Sequence, residues 1–271
     1  MSVLRCSYVD TAAGQMHLRT LGEGPPLVLL HWAPATGAMY RHVMPPLVRR
    51  GLRCIAPDLP GYGRSADRPR PGWTMADYAA NLAKALTALE IVSCDVLGGH
   101  LSAGIALELA LGGRLAVRRV VLDGLALLTK AEADALMARF AHLSPVVRAD
   151  GGHASFVWDS VVAFLKEWDP AFVVSETTRP IIFGYMRDLL DANRPPEPSP
   201  ILGYDMASRL KLLRVPTLFL TAAREPLRVG HERGLALAPQ AAGHVFPGSH
   251  PLHDPARAAE YAEVVAAFLA S

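Results

Sequence analysis

Residues 94–110 read CDVLGGHLSAGIALELA, an apolar run that passes through a knot of small residues into apolar positions at helical spacing. A strand turns this sharply into a helix only where the backbone folds back on itself. Small side chains are then needed two positions before and two after the apex. Gly98 and Ser102 meet that need around His100. With Ser102 as the apex, the His100 side chain would fall at the crowded position and the helix would start two residues later. His100 is therefore the expected apex, and Ala103 and Gly104 let the first helical turn approach a sheet. The plainer alternative is a glycine-rich junction without chemistry.

The rest of the chain alternates in the same sense. Short strands are expected at 4–10 and 15–21 around the turn Ala12-Ala13-Gly14, and fully buried strands at 27–31, 53–58 and 119–123. Helices are expected at 42–51, 75–89, from 101 onward, and at 257–269. Strand, helix and strand repeated in this way predict an α/β fold with a mostly parallel central sheet flanked by helices. Ligands bind such sheets at the carboxyl ends of the strands. His31, Asp58, His100 and Asp123 all fall at such ends. Between 125 and 202 the alternation stops; helical patterns at 130–141, 155–167 and 178–191 precede a proline-rich return at 195–200. The expected division is a core of 1–124 and 203–271 around a helical insertion of 125–202.

Composition narrows the partners. The formal net charge is +2 and no Lys or Arg stripe forms, so nucleic acid is not expected. No apolar run reaches the ~18 residues of a membrane span, and the amino terminus lacks a signal-peptide core, so a cytoplasmic protein is expected. Cys6, Cys54 and Cys94 lack metal-ligand spacing. His31, His100 and His250 also lack the short spacings of metal sites, and neither metal nor cofactor is expected. The partner expected is a small-molecule substrate, with the chain a monomer or homodimer.

Several segments resemble the α/β-hydrolase superfamily over nearly the whole chain outside the insertion. The junction at 98–102 is similar to its nucleophile elbow, G-x-S-x-G, with histidine replacing serine. His31-Trp32-Ala33-Pro34 resembles the H-G-x-P segment after the third strand, with Trp32 where glycine is usual. Residues 58–65, DLPGYGRS, match the D-x-x-G-x-G-x-S turn. Residues 216–225 resemble P-T-L-x-x-x-G-x-x-D, with Glu225 at the acid position, and the loop ending in His250 resembles the family's G-x-G-H. The insertion falls where the family places its helical cap.

The resemblance implies a catalytic acid at Glu225 acting on His250, and an oxyanion hole of backbone N–H groups from Leu101 and from Trp32 or Ala33, beside His31. His100 then acts as nucleophile, base or acid in hydrolysis or lyase chemistry. Asp123 is a second candidate partner for His250, because the family's cofactor-free dioxygenases take their acid from that strand end. If the elbow register shifts, Ser102 becomes the nucleophile of an ordinary esterase. A degenerate member that binds an apolar ligand without turnover is a further alternative. Trp158, with Trp168, Phe156, Phe164, Phe172 and Tyr185, is expected to roof an apolar pocket. Alanine at His100 or His250 is expected to abolish turnover while changing stability by only about 1–2 kcal/mol.

Overall fold

Strands that are apolar on both faces require cover on both sides, and the chain provides it. The protein is described here by a computed structural model covering residues 3–66, 72–141, 147–191 and 203–271. Eight strands form one sheet: β1 (Arg5–Thr11), β2 (Gly14–Leu21), β3 (Pro26–Leu30), β4 (Arg53–Pro57), β5 (Ser93–Gly99), β6 (Ala116–Asp123), β7 (Thr217–Ala222) and β8 (Ala242–Phe246). Their spatial order is β1-β2-β4-β3-β5-β6-β7-β8. The β1–β2 and β2–β4 pairs are antiparallel and the other pairs are parallel. The mostly parallel sheet anticipated from the alternation is present, and its parallel part brings the carboxyl ends of β3 to β8 to one edge.

Helices α1 (Met44–Arg49), α2 (Met75–Ala88) and α3 (Leu101–Leu111) lie before or between the strands. Three more, α4 (Lys130–Ala141), α5 (Gly152–Trp168) and α6 (Arg179–Asp191), are inserted between β6 and β7. The short α7 (Met206–Leu210), then α8 (Arg228–Leu237) and α9 (Ala258–Ala270), complete the chain. The first helix is shorter than the expected 42–51. A 3₁₀ turn over Gly37–His42 precedes it, and prolines occupy its first positions, where a missing N–H does no harm. The expected return link at 195–200 lies outside the described residues.

Alternation along each strand divides the core. Val28 and Leu30 face the α2–α3 side with Val96, Val120 and Leu122. Leu27 and Leu29 face the α1–α9 side with Leu97, Val121 and Tyr261. The inserted helices carry a small core of their own, with Val157, Val161 and Leu165 of α5 against Ile182 of α6.

Candidate active site

The β5–α3 junction shows why small residues flank its apex. A Cβ on Gly98 would lie 2.7 Å from the Ser102 carbonyl carbon and 2.8 Å from the Ala106 Cβ, both immovable at that distance. His100 sits at the bend with φ 50° and ψ −113°, a left-handed conformation that a residue with a Cβ adopts only under strain. Backbone bonds hold it there: its N–H donates to the Asp123 carbonyl at 2.8 Å and its carbonyl accepts from Ala103 at 3.0 Å.

Ser102 does not face the site. As the second residue of α3 it is fully buried, and its hydroxyl donates to the His31 carbonyl. His31 is likewise engaged in the interior. Its Nε2 accepts the Leu59 N–H at 2.9 Å, so the ring proton is on Nδ1, which donates to the Trp32 carbonyl at 2.9 Å. Burial lowers its pKa, which suits a ring that must stay neutral to accept from Leu59. His31 thereby ties the loop to the interior, with both ring nitrogens engaged. Among the described residues no three His, Cys, Asp or Glu side chains are placed to hold a metal ion.

The loop so shaped delivers Trp32. Its buried indole lies 4.7 Å from the His100 ring, 5.7 Å from His250 and 5.5 Å from His253 between centroids. Ala33 is exposed, and a cis peptide joins it to Pro34. Leu101 is the first residue of α3, so its N–H has no acceptor within the helix.

The acids are distributed differently from the family expectation. Asp123, at the end of β6, accepts from His250 Nε2 at 3.0 Å and from the Tyr261 hydroxyl at 2.6 Å. His250 Nδ1 lies 3.3 Å from the Leu252 N–H, so both ring nitrogens are engaged. Burial opposes charge on either partner. Their mutual attraction and hydrogen bond outweigh it, holding Asp123 below the usual carboxylate range and His250 above the usual imidazole value. Glu225, expected against His250, lies instead against His100: its Oε1 is 3.3 Å from His100 Nε2, without the alignment of a hydrogen bond. The reason is at Gly124. A Cβ there would stand 2.5 Å from His100 Cδ2 and 2.8 Å from Nε2, so only glycine lets the imidazole lie across the β6 end and reach the β7 acid.

Two further elements meet these rings: the turn that carries His253, which was not anticipated from the sequence, and the inserted helices that carry Trp168, Phe164 and Tyr185 of the expected roof. His253, in the 3₁₀ turn Pro251–His253, is buried, and burial and the neighbouring imidazoles push its pKa well below the usual value. It pairs with Tyr185 of α6 at 2.7 Å. Trp168 of α5 stacks on His100 at 6.0 Å and meets His253 edge-on at 4.7 Å; Phe164 also meets His253, at 5.8 Å. Trp158 takes no part in this. It lies about three turns earlier on α5 and packs against the α5–α6 core; Phe164 packs against that core as well but, with Trp168 one turn further on, also meets the His253 ring. That i, i+4 aromatic pair and the His250-x-x-His253 spacing were the signals in the sequence.

A family model described as alpha/beta hydrolase fold matches residues 25–156. A haloalkane dehalogenase of Mycobacterium marinum is 46% identical over 78 residues, which are 26% of this chain and 25% of that protein. The 2-hydroxymuconate semialdehyde hydrolase of a Pseudomonas species is 38% identical over 120 residues, 42% of this chain and 41% of that one. The chain thus matches under half the length of these relatives. Among solved structures, a hydrolase of Pseudomonas aeruginosa superposes with a TM-score of 0.78 at 24% identity, covering 98% of this chain and 99% of that one. An esterase of Exiguobacterium antarcticum gives 0.76 at 20% identity, covering 98% and 100%. At such identities the likeness speaks for the fold.

Proposed function

The chain belongs to the α/β-hydrolase superfamily, and from that premise we propose that it hydrolyses small, neutral, apolar or aromatic carbonyl compounds with His100 as general base. The observation that carries this reading is the pairing of a strained elbow imidazole with the Glu225 carboxylate 3.3 Å from its Nε2. Strain of this kind, of order 1–3 kcal/mol, persists where surrounding structure holds a group for use.

With Glu225 drawing the ring proton to Nε2, Nδ1 presents a lone pair. It has no hydrogen-bond partner among the described residues, and the side chain keeps 21% of its surface open. Nδ1 takes a proton from water as the water oxygen bonds to the substrate carbonyl carbon. The carbonyl oxygen gains the negative charge beside the Leu101 N–H at the positive end of α3, with Trp32 or Ala33 supplying a second donor. The intermediate collapses, the bond to the leaving oxygen breaks, and His100 returns its proton to that oxygen. Inserted helices α5 and α6 act as a cap, presenting Phe164, Trp168 and Tyr185 as an apolar roof.

The test is initial-rate hydrolysis of phenyl acetate and related aryl esters by the wild type, His100→Ala and Glu225→Gln. Loss of about 10³-fold or more in His100→Ala and of 10–10²-fold in Glu225→Gln is expected. Wild-type rates in His100→Ala would refute the reading. One observation favours a second reading, in which the protein binds such molecules without turnover: both nitrogens of His250 are engaged, and Trp32 touches both imidazoles. Saturable binding with no rate above buffer would select it.

A further inference from the structure

We propose that His253, outside the elbow and the acid positions, is the specificity-determining donor of this site, and that it selects substrates carrying an acceptor oxygen beside the reacting carbonyl. The tautomer follows from its neighbours. Burial raises the Tyr185 hydroxyl and keeps it protonated, and among the described residues the acceptor within its reach is His253 Nδ1; were Nδ1 to donate instead, both that O–H and His253 Nε2 would lack partners. The Tyr185 proton therefore goes to His253 Nδ1, 2.7 Å away. His253 is held neutral by burial among His100 and His250, so its one proton is on Nε2. That Nε2 is buried and has no partner, in a side chain only 6% exposed.

A buried N–H with nothing to donate to is a standing penalty that a ligand oxygen removes. Trp32 and Trp168 each touch both His253 and His100, so the two imidazoles belong to one aromatic cluster. The inference rests on the hydrolytic reading to this extent: there the reacting carbonyl oxygen belongs to the Leu101 N–H, and the oxygen on His253 must be a second one. A 2-hydroxy or 2-keto group on an aryl ester has the required chemistry. It is neutral, as suits a site where the unpaired Glu225 Oε2 repels anions.

The experiment separates binding from turnover. Quenching of tryptophan fluorescence is titrated with mandelamide and with phenylacetamide, which differ by the 2-hydroxyl alone, and kcat and KM are measured for methyl mandelate and methyl phenylacetate. The wild type is expected to bind mandelamide about tenfold more tightly and to show the same preference in KM. His253→Phe, which keeps an aromatic ring and removes the N–H, is expected to bind both amides equally. His253→Gln, which restores an N–H donor, is expected to recover part of the preference. Equal affinity of the wild type for the two amides, or no binding of either, overturns the inference, as does a preference that survives in folded His253→Phe. Amide discrimination without ester turnover would instead leave His253 as the selective donor and refute the hydrolytic reading.

Discussion

At the scale of single residues, His100 combines the proposed chemical role with a conformational cost, and the two are separable. Its φ of 50° is natural for glycine and strained for any residue with a Cβ. Comparing His100→Gly with His100→Ala removes the imidazole in both and the strain in one. Both variants are expected to lose activity, and the glycine variant should be more stable than the alanine variant by about 1 kcal/mol in urea denaturation. Equal stabilities would mean that the apex conformation is not the one described. Ser102 has the opposite profile. Ser102→Ala leaves the His31 carbonyl without its donor, costing about 1–2 kcal/mol, and should retain substantial turnover. Complete loss of turnover in a folded Ser102→Ala would return the nucleophile role to that hydroxyl.

At the scale of elements, the family motifs marked the strand ends correctly while the partners across the site had to be seen. The Gly98–His100–Ser102 spacing was legible because steric demand at a sharp turn acts locally. Exchange of Glu225 from His250 to His100 was not, because it depends on Gly124, a residue from another strand that makes room for the ring. Trp158 was grouped with Trp168 in the roof for a similar reason, since which aromatics of α5 reach the imidazoles is decided by packing against α6. His250 also changes meaning. Its removal would strand Asp123 as a buried charge with only Tyr261 beside it, so His250→Ala is expected to cost about 3–5 kcal/mol rather than the 1–2 anticipated from sequence. Thermal unfolding of His250→Ala beside His100→Ala checks the contrast. Helix α6 carries a related element-level effect at Asp188. Buried against Thr36 at 3.2 Å, its carboxyl is pushed up to about 6, chiefly by burial. A folded-state value above the unfolded one means that stability is lost as pH rises through about 6. Asp188→Asn, which keeps the acceptor for Thr36 and removes the charge, should stabilise the protein on the order of 3 kcal/mol at pH 7.5, by about half as much at pH 5, and by little near pH 3.5.

Across the whole molecule, buried histidines govern the response to acid. His17, His31, His231 and His253 all have pKa values lowered principally by burial, and His31 must also remain neutral to accept the Leu59 N–H. For each, the unfolded chain takes up a proton near 6.5 that the folded chain refuses, so stability falls as pH drops below 6.5. His250 and Asp188 act in the opposite sense, because both hold a proton more tightly when folded. Between pH 6 and 5 His250 is protonated in both states and offsets little, while Asp188 gives up its proton on unfolding and offsets part of the uptake. The four imidazoles outnumber it, so the free energy of unfolding should fall over that interval, at about 1.4 kcal/mol per net proton and pH unit. Urea midpoints at pH 7, 6 and 5 provide the measurement. His253→Phe removes one of the four groups, so its curve should be flatter than that of the wild type by about one proton. Stability that is constant or rises on acidification from pH 6 to 5 would show that these imidazoles are not held neutral in the folded core.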